Sequence, residues 1–205
     1  MARIAIIAFD AFNDIDVFLH WDLLGRVATV VPEMNGNWSV RLLGTRSTHV
    51  SALGLPIPMH GTIDEAREAD AVIHASGKAT RTLMRDRAYI DRLGLDPSRQ
   101  LVGSQCSGAL ILGASGLLKN LTATTYPTTA RYLAEFGATV VPEAFVAHDR
   151  IATAAGCLAG VELDRWIIGK LASPKVAQAS IDSASPIGAG LDMPPLRDMA
   201  LATPR

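Results

Sequence analysis

The chain has 205 residues, of which 49% are apolar and 19% are charged, and its net charge is −1. This composition excludes an intrinsically disordered chain, because such chains are poor in apolar residues and rich in net charge. The balance of 19 basic against 20 acidic side chains gives no sign of a surface that binds nucleic acid or an anionic membrane.

Short apolar runs alternate with helical patterns along the chain, which favours an α/β fold with a largely parallel sheet. Residues 3–9 (RIAIIAF) are apolar after the first position and predict a strand buried on both faces, at the centre of the sheet. Further strands are predicted over residues 38–43, 71–74, 101–104, 139–141 and 150–153.

Helices are predicted where apolar residues recur at helical spacing. These segments are residues 14–30, 80–93, 107–118, 132–136 and 159–171. The segment 107–118 (SGALILGASGLL) is apolar almost all round, so we expect it to be buried against the sheet. Gly137 is placed to end the helix before it.

The length and pattern predict one domain over residues 1–205, in which 173–205 form a C-terminal helix and tail. No repeat or glycine–serine linker marks a second domain. The N-terminal apolar run ends at the acidic Asp10, so it is too short for a signal-peptide core or a membrane span. Together with only two cysteines, this predicts a cytoplasmic protein.

The most informative segment is Gly103-Ser104-Gln105-Cys106-Ser107-Gly108, between a predicted strand and the buried helix. Small residues two positions before and after Cys106 are what a nucleophile elbow requires, because its tight turn leaves no room for large side chains there. The turn would place the sulfur at the carboxyl end of a central strand and at a helix N-terminus, which favours the thiolate. The alternative is that Cys106 is a small buried hydrophobic residue.

A nucleophilic thiol needs a proton acceptor, and none of the five histidines lies in a recognisable catalytic signature. Asp16 lies between Ile15 and Val17, just after the first strand-to-helix turn. Its apolar surroundings make it a candidate proton carrier for the cysteine. The alternative is that Asp14 or Asp16 only caps the helix.

Other features suggest chemistry less directly. Gly77, in Ser76-Gly77-Lys78 after the third predicted strand, would let a backbone amide approach a ligand, or would simply serve an ordinary turn. Cys157 starts a helix among small residues and is interpreted as packing or as a second reactive thiol. No CxxC, HExxH, phosphate-loop or dinucleotide-binding motif is present, so neither a metal nor a nucleotide cofactor is predicted.

With these residues in view, the chain resembles the ThiJ/PfpI superfamily, which has class I glutamine amidotransferase-like, flavodoxin-like architecture. The resemblance covers residues 3 to about 171 and is strongest in SQCSGALILGASGLLKNLTATTY. Within the superfamily the chain is most similar to isonitrile hydratases. By that resemblance Cys106 is the nucleophile, Asp16 is its acid/base partner, and the amides of Gly77 and Ser107 form the anion-stabilising pocket.

Three departures from the family pattern fall on the expected pocket: Ile15 to His20, Ala75-Ser76-Gly77, and Tyr126-Pro127 in place of a histidine-tryptophan pair. The last change removes a histidine that protease-like members pair with cysteine, which makes peptide hydrolysis a poor fit. Ser107 stands where the hydratases have threonine, and Tyr126 is assigned to the substrate site.

The resemblance implies a cofactor-free hydration of an isonitrile to an N-substituted formamide through a thioimidate. The alternatives are a non-enzymatic dimer that senses a ligand or the redox state through the same pocket, and an α-oxoaldehyde hydratase. We expect a small-molecule substrate and a homodimer, and no nucleic acid or membrane partner.

Overall fold

The computed structural model describes residues 1–192, which contain eleven strands and seven α-helices. The strands are β1 (Ala2–Ile7), β2 (Trp38–Gly44), β3 (Thr48–Val50), β4 (Pro56–Pro58), β5 (Gly61–Thr62), β6 (Ala71–His74), β7 (Leu101–Gln105), β8 (Thr122–Ala123), β9 (Thr139–Val140), β10 (Phe145–Ala147) and β11 (Ile151–Ala154). The helices are α1 (Ile15–Val30), α2 (Thr80–Leu83), α3 (Arg87–Leu93), α4 (Ala109–Ala114), α5 (Ala130–Glu135), α6 (Gly160–Leu171) and α7 (Pro174–Asp182).

The central sheet has seven strands in the order β10-β11-β7-β6-β1-β2-β5. All neighbours pair in parallel except β10, which is antiparallel to β11. The predicted α/β fold with a mostly parallel sheet is therefore confirmed. The apolar run at the N-terminus lies inside the sheet, with Ile4 facing Val40 of β2 on one side and Ala71 of β6 on the other.

Helices cover both faces of the sheet, because alternate residues of the buried strands point to opposite sides. Ala5 and Ile7 of β1 pack in the core on one face, beneath α3, α4 and α5. Ile4 and Ile6 pack in the core on the other face, beneath α1, α6 and α7.

Several predicted elements have different boundaries in the structure. The single helix expected over 80–93 is two helices, since Asp86 starts a new one by accepting a hydrogen bond from the Tyr89 amide with its side chain. The helix expected over 107–118 is a 3₁₀ turn (Cys106–Gly108) followed by the short α4. The strand expected over 139–141 pairs with β8 in a separate two-stranded sheet. The hairpin of β3 and β4 was not predicted.

The parallel order brings four loops together at one edge of the sheet. Strands β11, β7, β6 and β1 are neighbours, so the segments that follow them meet where their carboxyl ends emerge. Open α/β sheets bind ligands at this edge. Of the predicted C-terminal region, α7 is described, whereas residues 193–205 lie outside the described part. Among residues 1–192, no helix combines the length and the apolar character needed to cross a bilayer.

Candidate active site

Cys106 lies on a strained turn directly after β7. Its φ angle is 47°, a left-handed conformation that costs free energy in any residue with a side chain beyond Cα. The turn packs tightly against β6: a Cβ added at Gly108 would lie 2.2 Å from the His74 carbonyl oxygen, so this position has room only for glycine. The geometry matches that of a nucleophile elbow. The Cys106 side chain is only 2% exposed.

Asp16 lies on the first turn of α1 and is fully buried. Its Oδ2 accepts a short hydrogen bond from Ser76 Oγ and a second, at 3.3 Å, from Asn13 Nδ2. Its Oδ1 has no hydrogen-bond partner among the described residues. A buried, half-satisfied carboxylate is costly unless a ligand or water completes it.

Asp14, rather than Asp16, occupies the N-cap position of α1, but its side chain does not cap the helix. The Asp14 carboxylate instead accepts hydrogen bonds from Ser51 Oγ at 2.6 Å and from the Leu53 amide at 3.3 Å. It therefore holds the β3–β4 hairpin against the start of α1. The alternative that Asp16 only caps the helix therefore does not explain why this carboxylate is buried at the start of α1.

Three reactive side chains converge at the edge of the sheet. A carboxylate oxygen of Asp16 and the sulfur atoms of Cys106 and Cys157 all lie within 4.8 Å of one another. Asp16 follows β1, Cys106 follows β7, and Cys157 follows β11. A water molecule or a small reacting group can bridge such a separation. The same three donors are of the type that holds a soft metal ion, an arrangement that no sequence motif indicated.

The environment of Cys106 favours the neutral thiol. Burial, together with the nearby charges of Asp16 and Cys157, raises the pKa of Cys106 to about 12. A hydrogen bond from Gln105 Nε2 to the sulfur, at 3.4 Å, opposes the shift. The prediction that the helix N-terminus would yield a thiolate is wrong for the free protein, because desolvation outweighs it. The thiol must therefore lose its proton during a reaction.

Gly77 and Ser107 lie in direct contact beside the cysteine. A Cβ at position 77 would lie 2.4 Å from the Ala11 carbonyl oxygen, so a larger residue would collide with the loop after β1. The Gly77 amide donates to Ser107 Oγ at 3.3 Å, and Thr80 Oγ1 donates to the same oxygen at 3.0 Å. The Ser107 hydroxyl thus occupies the position in front of the Gly77 amide. A bound anion would compete with it for that donor.

These residues open into a cavity of about 280 Å³. The predicted residues Gly77, Cys106, Ser107 and Tyr126 line it, whereas Asp16 lies just behind the wall. The full lining is Asn13, Ser76, Gly77, Lys78, Arg81, Cys106, Ser107, Tyr126, Thr128 and Cys157. Tyr126 is 47% exposed and also borders a larger, more apolar cavity of about 690 Å³ with Val140 and Val141.

No histidine lines the small cavity. His20 is fully buried, with Nδ1 at 2.7 Å from Asp164 Oδ1. His74 is buried between the Ala75 carbonyl oxygen and the Tyr89 hydroxyl. The titratable group next to the cysteines is therefore a carboxylate.

The sequence prediction did not assign binding or positioning roles to several cavity residues. Lys78 and Arg81 follow the glycine turn directly, but a cation near a turn has no distinctive pattern. The contact between Cys157 and Cys106 depends on the pairing of β11 with β7, which sequence spacing does not reveal. Asn13 and Ser76 gain their importance only because both donate to Asp16.

Both the sequence and the fold of this chain are similar to those of known proteins. The sequence profile described as the DJ-1/PfpI family matches residues 2–170. An isonitrile hydratase from Pseudomonas putida is 25% identical over 177 residues, which cover 86% of this chain and 75% of the relative. A crystal structure of a ThiJ/PfpI family protein from Pseudomonas syringae superposes with a TM-score of 0.75 at 23% identity, covering 95% of this chain and 77% of that one.

A longer protein also contains this fold. The two-domain protein of Anabaena variabilis, with dj-1/thij/pfpi-like and ferritin-like domains, superposes with a TM-score of 0.74 at 21% identity. The match covers 88% of this chain but only 55% of the Anabaena chain. These likenesses to solved structures concern the fold.

Proposed function

The chain belongs to the DJ-1/PfpI family, and on that premise we propose that it is an enzyme that hydrates a small isonitrile to an N-substituted formamide. The observation that carries the proposal is the Asp16 carboxylate within 4.8 Å of the Cys106 sulfur. The 25% identity to an isonitrile hydratase supports the choice of substrate class.

In the first step, Asp16 takes the proton from the Cys106 thiol as the sulfur attacks the terminal isonitrile carbon. Because the pKa of Cys106 is raised to about 12 by burial, deprotonation and attack are coupled. The carbon–sulfur bond forms, and Asp16 returns the proton to that carbon. The product is a thioimidate, R–N=CH–S–Cys106.

In the second step, the ionised Asp16 takes a proton from water as the water oxygen adds to the thioimidate carbon, and Asp16 passes that proton to the nitrogen. The carbon–sulfur bond then breaks, and Asp16 transfers the proton of the new hydroxyl group to the departing sulfur. The net reaction is R–NC + H₂O → R–NH–CHO, with no redox change and no cofactor. The unpartnered Asp16 Oδ1 offers an acceptor for that water.

The remaining predicted residues are assigned supporting roles. The amides of Gly77 and Ser107 would stabilise negative charge that develops during attack, after the ligand displaces the Ser107 hydroxyl from the Gly77 amide. Tyr126, half exposed at the junction of the two cavities, would contact the group attached to the isonitrile nitrogen. Ser76 is a positioning residue, since it holds Asp16.

The test is turnover of an alkyl isonitrile by purified protein, followed as formamide absorbance. Cys106→Ala is expected to abolish turnover, and Cys157→Ser to retain it within a few-fold. An α-oxoaldehyde is assayed in parallel. Turnover of this compound without turnover of the isonitrile would indicate a carbonyl hydratase instead of an isonitrile hydratase. Equal rates for the wild-type protein and Cys106→Ala would rule out the thiol as nucleophile.

One observation favours a second function, redox sensing. The Cys157 sulfur lies within 4.8 Å of the Cys106 sulfur. Peroxide would oxidise one thiol to a sulfenic acid with release of water, and the other thiol would displace a second water to form a disulfide. Formation of this disulfide at low peroxide, in a protein that turns over no isonitrile, would favour sensing.

The expected homodimer is also a proposal. Light scattering of the purified chain would test it, and a monomeric mass at micromolar concentration would count against it.

A further inference from the structure

We propose that the isonitrile carries an anionic group, a carboxylate on a small carbon chain, and that Arg81 and Lys78 bind it. This inference rests on the proposed function for the reacting group, but it concerns the opposite end of the substrate.

The charges that line the cavity are of one sign. Lys78 and Arg81 are both in its wall, and in the part of the chain that the structure describes no Asp or Glu lines it. Among residues 1–192, neither cation forms an ion pair with a carboxylate, although most other arginines do. The local positive charge contrasts with the net charge of −1 of the whole chain.

Arg81 is held in place across the cavity. It is half-buried at the start of α2, and its Nη2 donates to Thr128 Oγ1 at 2.9 Å. Thr128 belongs to the segment that follows Tyr126, on the other side of the opening. A guanidinium has five N–H donors, and within residues 1–192 the Arg81 side chain makes only this hydrogen bond. The free donors suit a planar carboxylate.

The geometry also fixes the direction in which such a substrate would bind. Asp16 lies beside Cys106 and repels a second carboxylate, whereas Arg81 and Lys78 attract it. A bifunctional substrate would therefore place its isonitrile carbon at the sulfur and its carboxylate at the cations. A cavity of about 280 Å³ has room for a ligand of that size.

The first test compares isocyanoacetate with its neutral ethyl ester as substrates. We expect kcat/KM to be at least tenfold higher for the anion, and Arg81→Met to lower it about tenfold for the anion while changing it less than twofold for the ester. Arg81→Lys should recover part of the loss. The matched control is Arg85→Met, because Arg85 is exposed and does not line the cavity. A preference for the ester, or equal losses on both substrates, would overturn the proposal.

A second test does not depend on turnover. Iodoacetate and iodoacetamide differ in charge but little in size, and both alkylate thiols. Peptide mapping of Cys106 should give an iodoacetate-to-iodoacetamide rate ratio that falls about tenfold in Arg81→Met and is unchanged in Arg85→Met. The ratio should also fall as salt is raised.

The two tests separate the two proposals. If no isonitrile is turned over but the alkylation ratio depends on Arg81, the anion site stands and the proposed reaction is wrong. If isonitriles are turned over but the ratio is the same in wild type and Arg81→Met, the reaction stands and the anion site is wrong.

Discussion

The carboxylate of Asp16 and the sulfur of Cys106 lie within 4.8 Å of each other, although one belongs to the first turn of α1 and the other to the turn after β7. Both are buried, so no bulk solvent separates them. The parallel pairing of β1, β6 and β7 produces this proximity.

Replacing Asp16 with Asn should lower kcat by 10²- to 10⁴-fold, because the amide cannot take the thiol proton. The matched control is Asp14→Asn, since Asp14 accepts hydrogen bonds from Ser51 and Leu53 and does not line the cavity. Steady-state kinetics of both variants would check this. Full activity of Asp16→Asn would remove the carboxylate from the mechanism.

Replacing Ser76 with Ala should act through Asp16, whose Oδ2 loses a hydrogen bond. We expect kcat to fall about tenfold with KM changed less than twofold, because the serine positions the proton carrier. Ser76→Thr, which keeps the hydroxyl, should recover activity. A rise in KM at constant kcat would instead indicate that Ser76 binds substrate.

Alkylation of Cys106 should become faster with rising pH well beyond the range of an ordinary cysteine. Because the pKa of Cys106 is raised to about 12 by burial, the thiolate fraction grows about tenfold per pH unit from pH 7 to 10. The rate of iodoacetamide labelling, measured by peptide mapping, should show that slope without a plateau at pH 9. A plateau near pH 7 would show an ionised resting thiol.

The strain at Cys106 should be visible in stability. Its φ angle of 47° suits glycine better than alanine. Cys106→Gly should therefore have a free energy of unfolding about 1 kcal/mol above that of Cys106→Ala, as measured by urea denaturation. Equal stabilities, or a more stable alanine variant, would show that the turn stores no such strain.

The stability of the fold should decrease with acidification because of His74. Burial lowers the pKa of His74 from 6.5 to about 4, so the unfolded chain takes up a proton in this interval before the folded protein does. The free energy of unfolding is therefore unaffected by this group above pH 6.5 and falls by about 3 kcal/mol as the pH drops to 4. Urea titrations of wild type and His74→Gln should differ in that slope, and parallel pH profiles would exclude His74 as the source.

The sequence predicted five of the seven strands of the central sheet, namely β1, β2, β6, β7 and β11, because apolar runs such as 3–9 leave few alternatives. The two edge strands, β5 and β10, were not predicted. It also predicted the turn at Cys106 from the small residues Ser104 and Gly108. The structure explains why position 108 must be small, because the His74 carbonyl oxygen leaves no space for a side chain there. Asp16 was singled out by its apolar neighbours, and it is buried.

What the sequence could not predict depends on contacts between distant segments. The proximity of Cys157 to Cys106 requires β11 to pair with β7, and the contact between Arg81 and Thr128 joins two separate loops. The pKa of Cys106 differed from expectation because desolvation depends on how completely the surrounding chains exclude water. The break between α2 and α3 was not predicted because the apolar pattern continues through it, and only the hydrogen bond from the Tyr89 amide to the Asp86 side chain marks the start of the new helix.

The most direct measurement is mass spectrometry of the protein quenched with acid during turnover of an alkyl isonitrile. Covalent catalysis by the sulfur predicts a Cys106 peptide heavier by the mass of one isonitrile in the wild-type protein, and no adduct in Cys106→Ser. Formamide production by the wild-type protein with no adduct at any time point, and at the same rate in Cys106→Ser, would contradict the account.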